Sequence, residues 1–456
     1  MAETIAAIAT PLALGGVAMI RISGDEAIAV ADQVFHSYQC ASLQDLDGYQ
    51  AAYGTISDEN GVIDDGVALV YRAPKSYTGE DVVELSCHGG VYVTKRVLRL
   101  ILEKGASLAE PGEFSKRAFL NGKLSLTQAE SIMDLIQSKN EHALRSARAQ
   151  MDGALYQKIE SLKESLLTIA GHLAAWTDYP EEEIEEIENS HLESSLRECK
   201  QQVDQLIHTF DTGKMVREGI ETAIVGKTNV GKSTLMNLLS GCEKSIVTDI
   251  AGTTRDVVEE TVNLGTVVLR LADTAGIRET EDFVEQKGVE RSKKRIQSAG
   301  LVLAVFDYSE ALNEDDRLII EAVKASGVPA LAIVNKTDLN QKIDEQNIRN
   351  NFKQIVYTNS ADVTSLERVT DAVESLLQLH QVDLSDGMIA NERQRLCALE
   401  AQAALKEALD TMLSGMTLDA VNVMIDQAID ALLQLTGEKA TEKIVDQVFH
   451  HFCVGK

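Results

Sequence analysis

The chain has 456 residues, 44% of them hydrophobic and 25% charged, with 43 Lys and Arg against 71 Asp and Glu and a formal net charge of -28 at pH 7. That length exceeds one ordinary core, so two to four domains are expected. So acidic a balance argues against a protein that wraps nucleic acid unaided, because phosphate backbones are held mainly by Lys and Arg. It leaves room for a local basic site or a basic partner.

Residues 5–20, IAAIATPLALGGVAMI, superficially resemble the apolar part of a signal peptide. The preceding MAET carries an acid and no base, however, and Pro11, Gly15 and Gly16 interrupt the run. A strand, a glycine turn and a second strand are expected instead. Up to residue 119, short apolar runs (VAMIRIS, GVALVYRA, DVVELSC) mix with glycine turns, which reads as α+β. VYVTKRVLRLILEKG has helical spacing from Val91, with Gly105 as its stop. From Ser125 the texture turns to long heptad-like helices up to about Phe210, interrupted by the acidic run Glu181 to Glu188, read as a solvated loop or helix face. From Ile220 to about residue 380 strands and helices alternate, with TAIVG, VVLRLAD, GLVLAVFD, PALAIVNK and IVYTNS as buried strands. After Leu384 helices return and continue to the tail. The simplest architecture is an α+β domain (1–119) and an all-helical domain (120–216 with 382–456) interrupted by an inserted α/β domain (217–381).

The six cysteines (Cys40, Cys87, Cys199, Cys242, Cys397 and Cys453) are scattered, with no Cys-x-x-Cys pair. Neither a zinc site nor a disulfide framework is indicated, and reduced thiols in the cytoplasm are the simplest reading. No run is long and apolar enough to span a bilayer, so no membrane partner is expected.

The inserted domain carries the chemistry. GKTNVGKS follows the strand TAIVG and opens a helix, matching G-x-x-x-x-G-K-S with Gly226, Gly231, Lys232 and Ser233. The glycines let backbone N–H groups close around phosphates, Lys232 reaches the β- and γ-oxygens, and the Ser233 hydroxyl suits Mg²⁺. DTAG (Asp273, Thr274, Ala275, Gly276) ends the next strand, where Asp273 can hold the magnesium through water. NKTD (Asn335, Lys336, Thr337, Asp338) ends another, and the Asp338 carboxylate can accept from both N–H groups on guanine's edge, which adenine cannot offer. Ser360 and Ala361 can offer backbone N–H groups to guanine O6. The four elements in order, each at a strand end, predict a Ras-like P-loop GTPase. Ile277 stands after DTAG in place of the glutamine that often positions the attacking water, so another device is needed. Within IVTDIAGTTRD, Thr254 is a candidate Mg²⁺ ligand, and Arg255 is either a built-in arginine finger or a surface or switch residue.

TDIAGTTRD with DTAG and NKTD resembles a bacterial GTPase branch that includes ribosome-assembly proteins. The ends narrow it: ETIAAIATP…GGVAMIRISG, YTGEDVVELSCHGG at 77–90, PGEFSKRAFLNGKLSLTQAE at 111–130 and the terminal FCVGK are similar to the tRNA modification GTPase family MnmE (TrmE), over the whole chain in the same order. The Leu12-Ala13-Leu14 turn departs from the glycine and charged residues more usual there. The resemblance implies an N-terminal domain that dimerises and binds a 5,10-methylene- or 5-formyl-tetrahydrofolate through Arg21, Glu84, Lys123 and Lys456. It places GTP on Asn229, Val230, Gly231, Lys232, Ser233 and Thr234, on Thr248, Asp249, Ile250, Ala251, Gly252, Thr253 and Thr254, on Asp273, Thr274, Ala275 and Gly276, on Asn335, Lys336 and Asp338, and on Ser360 and Ala361. It puts K⁺ on Asn229, Thr248, Ile250 and Thr253 in place of an arginine finger, and makes Glu285 the acid that orients the water network. It also implies a homodimer that joins the flavoprotein MnmG in a heterotetramer and modifies C5 of the wobble uridine of certain tRNAs, with the tRNA held largely by the partner.

Two other classes compete. A switch that binds ribosomal RNA predicts an appended basic module, which is absent from this acidic sequence. A folate-dependent transferase without GTP leaves four nucleotide motifs unexplained. At the terminus, CVGK is a poor prenylation signal, because Gly455 is not aliphatic and Lys456 is not a favoured last residue. With Lys456 at the folate, Cys453 becomes a candidate catalytic nucleophile or acid–base group, against the plainer reading of an incidental thiol.

Overall fold

The computed structural model describes residues 3–178, 189–240, 260–265, 267–271, 295–359, 364–377 and 385–456. The chain forms two compact units, one of Met1–Met133, Gln150–Val203 and Leu396–Lys456, the other of Asp134–Ala149 and Asp204–Arg395.

In the first unit the α+β expectation is met by β1 (Ile5–Ile8), β2 (Val17–Ser23), α1 (Ala27–Asp32), β3 (Phe35–Ser37), β4 (Gln50–Asp58), β5 (Gly61–Tyr71), β6 (Val82–His88), α2 (Val91–Glu103), β7 (Ser107–Leu108) and α3 (Glu113–Leu120). The strands form one sheet in the order β3-β4-β5-β6-β2-β1-β7. The stretch with the look of a signal peptide is thus the antiparallel pair β1–β2. Alternation sorts the two faces. Ile20, Ile22, Val83 and Leu85 point into a core closed by Val97 and Ile101 of α2, while Arg21 and Glu84 point the other way. The register pairs Arg21 directly with Glu84. Gly105 follows α2 with a φ of +111°, as a helix stop should.

The helical stretches form α4 (Leu126–Gln137), α5 (Glu141–Met151), α6 (Ala154–Asp178) and α7 (Asn189–Glu218). The acidic run Glu181 to Glu188 lies outside the described residues.

In the second unit come β8 (Ile220–Val225), α8 (Lys232–Ser240), β9 (Glu260–Leu264), β10 (Val267–Leu271), β11 (Leu301–Asp307), α9 (Glu314–Ser326), β12 (Ala330–Asn335), α10 (Glu345–Asn351), β13 (Gln354–Tyr357) and α11 (Ser365–Leu376). The sheet order is β13-β12-β11-β8-β10-β9, parallel except for the β9–β10 hairpin. All five expected strands are present, and β11 is buried along its whole length, as a central parallel strand must be. β9 was not expected: ETVNL is short and only partly apolar, and its place comes from pairing with β10.

The last helices are α12 (Glu392–Leu413), α13 (Leu418–Thr436) and α14 (Glu442–His450). α13 packs along α6. Val445, Phe449 and Phe452 join Leu126 and Ile132 in a small apolar core, which seats the end of the chain within the first unit.

Candidate functional site

Two constellations stand out. The first is the loop from β8 to α8. Asn229 has a φ of +61° and Gly231 of +97°, so successive peptide N–H groups turn to the concave side. A Cβ at Gly231 would stand 2.0 Å from Asn335 Nδ2, so only glycine fits there. The Lys232 ammonium folds back along the loop and donates to the carbonyls of Gly226, at 2.7 Å, and Lys227. Burial, and then the Arg295 guanidinium, hold it below the ordinary lysine range. Ser233 and Thr234 are exposed at the helix start, where backbone N–H groups and the helix dipole favour an anion such as phosphate. This donor set fits a phosphate chain, and the exposed Ser233 hydroxyl is available to a Mg²⁺ ion carried with it.

Asn335 joins this loop to the base-reading strand. It is 8% exposed, donates from Nδ2 to the Val230 carbonyl at 3.0 Å and accepts at Oδ1 from the Thr358 hydroxyl at 3.2 Å. Next to it Lys336 has a φ of +65° and its ammonium pairs with buried Asp307. Burial alone would raise the Asp307 carboxyl; bonds from the Lys336 ammonium and from Ser309 outweigh it and hold the group below the usual carboxylate range. Asp338 is exposed beyond β12. Asp307 and Thr358 were missed by sequence reasoning.

Thr248, Asp249, Ile250, Ala251, Gly252, Thr253, Thr254, Arg255, Asp273, Thr274, Ala275, Gly276, Ile277, Glu285, Ser360 and Ala361 lie outside the described residues. Of the expected K⁺ ligands only Asn229 is described, and of the Mg²⁺ ligands only Ser233.

The second constellation lies on the first unit's sheet. The Arg21 guanidinium meets Glu84 Oε1 at 2.7 Å and donates to the Gly455 carbonyl at 3.1 Å. It lies 5.5 Å from the Tyr77 ring centre and 5.7 Å from that of Phe114. The Tyr71 hydroxyl donates to Glu84 Oε2 at 3.3 Å. A carboxylate accepts about four hydrogen bonds, so Oε2 keeps capacity for a ligand N–H. Burial, followed by the Arg21 charge, holds the Lys456 ammonium below its ordinary range. Two cations held together fit an anionic ligand such as a folate carboxylate. Lys123 donates instead to the Pro74 carbonyl at 2.9 Å. Arg21, Glu84 and Lys456 are thus brought together, while Lys123 is fixed on the neighbouring loop.

The tail is held by protein contacts. Phe449 and Phe452 pack with ring centres 5.0 Å apart and their planes tilted by 51°, and the Gly112 N–H donates to the Cys453 carbonyl at 3.4 Å. Gly455, with a φ of +93°, is buried so close to β1 that a Cβ would stand 2.5 Å from the Ile8 carbonyl oxygen. The Cys453 side chain is exposed. The terminus is not frayed, as tails usually are. Among the described residues no helix is long and apolar enough to cross a membrane.

The model for the GTP-binding protein TrmE N-terminus matches residues 4–123, and that for the MnmE helical domain matches residues 126–453. The tRNA modification GTPase MnmE of Bacillus licheniformis is 41% identical over 100% of both chains. That of Listeria innocua is 42% identical over 100% of this chain and 99% of the other. The solved G domain of the T. maritima FeoB iron transporter aligns with 35% of this chain and 99% of its own at 22% identity and a TM-score of 0.26. With two successive domain models and full-length relatives above 40% identity in agreement, the chain belongs to the tRNA modification GTPase MnmE family.

Proposed function

We propose that this chain is a K⁺- and Mg²⁺-dependent GTP hydrolase, active as a homodimer, that works with the flavoprotein MnmG on the wobble uridine of certain tRNAs and uses a tetrahydrofolate one-carbon donor. GTP hydrolysis and a role in tRNA modification follow from the family. The observation that carries the nucleotide site is the buried Asn335 amide, bonded both to the phosphate loop and to Thr358 beside the guanine-reading segment.

In this reading the loop N–H groups and Lys232 hold the β- and γ-phosphates, Ser233 and Thr254 hold Mg²⁺, and Asp338 selects guanine over adenine. Asn229, Thr248, Ile250 and Thr253 hold K⁺. When bound, the two metal ions neutralise charge developing on the phosphates, as a guanidinium would. Glu285 orients the attacking water. On the sheet, Glu84 takes N–H groups of the folate ring, and Arg21, Lys123 and Lys456 take its anionic end. Cys453 stands beside Lys456 as the candidate nucleophile toward the uridine ring. The domains 1–119, 120–216 with 382–456, and 217–381 divide this work.

Nucleoside mass analysis of tRNA from cells lacking the protein tests the proposal. Loss of the C5 modification on wobble uridines, restored by the wild-type chain, is expected. Unchanged wobble uridines overturn it.

A further inference from the structure

The loop from β8 to α8 carries a second lysine besides Lys232. Lys227 follows Gly226, and its carbonyl accepts from the Lys232 ammonium. Its own ammonium is bound elsewhere: it meets Asp316 Oδ2 at 3.1 Å and Glu310 Oε2 at 2.8 Å. The Lys227 side chain is 10% exposed and that of Asp316 2%, while Glu310 is exposed. Burial by itself would lower the Lys227 ammonium; its bonds to Glu310 and Asp316 outweigh this and hold it above the ordinary lysine range.

Asp316 also belongs to the capping box that opens α9. Asn313 Oδ1 accepts from the Asp316 N–H at 3.0 Å, and Asp316 Oδ2 accepts from the Asn313 N–H at 3.1 Å. Its other oxygen, Oδ1, is buried with no hydrogen-bond partner among the described residues. A cap needs only an acceptor at this position, so the charge is more than the cap requires. A buried charge is costly unless it is paired, and Lys227 supplies the pairing cation. The same connection, from β11 to α9, holds the base-reading loop as well. Asp307 pairs with Lys336, and the Tyr308 N–H donates to the Asn335 carbonyl at 2.8 Å. Residues 307–316 thus hold both nucleotide loops from behind.

We propose that Lys227 is a positioning residue for GTP binding, pinned to Asp316 so that the phosphate loop stands in its binding shape before nucleotide arrives. The inference rests on the nucleotide site read above. Asn229 and Gly231 both hold positive φ values, a conformation that a free loop would keep only part of the time. An ion pair on the outer side fixes the residue whose carbonyl receives Lys232. A loop already in shape has less freedom to lose on binding, and affinity gains accordingly. The loop N–H groups cradle the α- and β-phosphates, which GDP and GTP share. The pair therefore acts on both nucleotides alike, and on KM more than on kcat.

The test titrates the full-length protein with fluorescent GDP and GTP analogues and follows its melting temperature in parallel. Lys227→Met is expected to weaken both nucleotides about tenfold and to raise KM with kcat little changed. Lys227→Arg keeps a cation that can span the two carboxylates and stays near wild type. Lys227→Met also strands the Asp316 charge, so its melting temperature falls. Adding Asp316→Asn removes that charge and leaves an oxygen for the cap. The double variant is expected to recover melting temperature but not affinity. Wild-type affinity in Lys227→Met overturns the proposal. So does recovery of affinity together with melting temperature in the double variant, which would confine the pair to stability. If the wild type binds neither nucleotide, the nucleotide site and the proposal fall together; if it binds both and Lys227→Met binds them equally well, only the positioning role falls.

Discussion

Asn335 Nδ2 lies 3.0 Å from the Val230 carbonyl, a bond that spans 105 positions in the sequence. The same side chain accepts from Thr358. One buried amide therefore fixes the distance between the phosphate loop and the base-reading end of the sheet. Replacing Asn335 with alanine leaves the Val230 carbonyl and the Thr358 hydroxyl without this partner. A loss of about 2 kcal/mol in GTP affinity is expected from two such bonds, with the Arg21–Glu84 constellation of the first unit unaffected. Titration with a fluorescent GTP analogue checks this; an unchanged affinity would contradict the bridging role.

Asp338 is exposed at the end of β12, where its carboxylate is available to a base edge. Asp338→Asn reverses one donor–acceptor match. GTP binding should weaken about a hundredfold and xanthosine triphosphate should become the better ligand. Competition binding with the two nucleotides decides it, and retained preference for GTP would remove Asp338 from the site.

The proposed potassium site includes Asn229, held at a φ of +61° on the loop. Turnover of GTP should be high in K⁺ and low in Na⁺ at matched ionic strength, and Asn229→Ala should abolish the difference. Equal rates in both salts would return Arg255 to candidacy as the charge-neutralising group.

Lys456 titrates below an ordinary lysine because of burial first and Arg21 second. The unfolded chain therefore binds a proton that the folded one releases, in the window between the lowered value and 10.5. Stability must rise with pH across that window, and the contribution disappears below it. Lys456→Met should flatten this alkaline rise in denaturant titrations. An anionic ligand seated there should take up a proton on binding, which calorimetry in buffers of different ionisation enthalpy reads directly; no buffer dependence in this window would refute it.

The Cys453 side chain is exposed, so Cys453→Ser should leave folding, dimerisation and GTP hydrolysis intact while abolishing tRNA modification. Gly455→Ala offers a contrast. Its Cβ would press on the Ile8 carbonyl in a strained conformation, so the tail should lift and Arg21 lose a hydrogen bond. Full modification by the serine variant, with loss on deleting residues 453–456, would show that the tail binds but its thiol does no chemistry.

The phosphate loop was legible because its chemistry is local: strand, glycines, lysine and serine sit at fixed short spacings. NKTD was legible for the same reason. Arg21 and Glu84 looked like any ion-pairing residues; only the adjacency of β2 and β6 and their register bring them face to face. Asp307 read as the last residue of a buried strand, and its pairing with Lys336 depends on the parallel register of β11 and β12, which aligns Asp307 with Asn335.

The bond from Arg21 to the Gly455 carbonyl joins positions 434 residues apart. During synthesis the N-terminal sheet leaves the ribosome long before the segment that completes its site has been translated. Nascent chains and products of premature termination therefore carry the sheet without its closing carbonyl and without Lys456. Translation must therefore pass Gly455 before Arg21 gains this acceptor, which ties the geometry of β2 to a segment made hundreds of residues later.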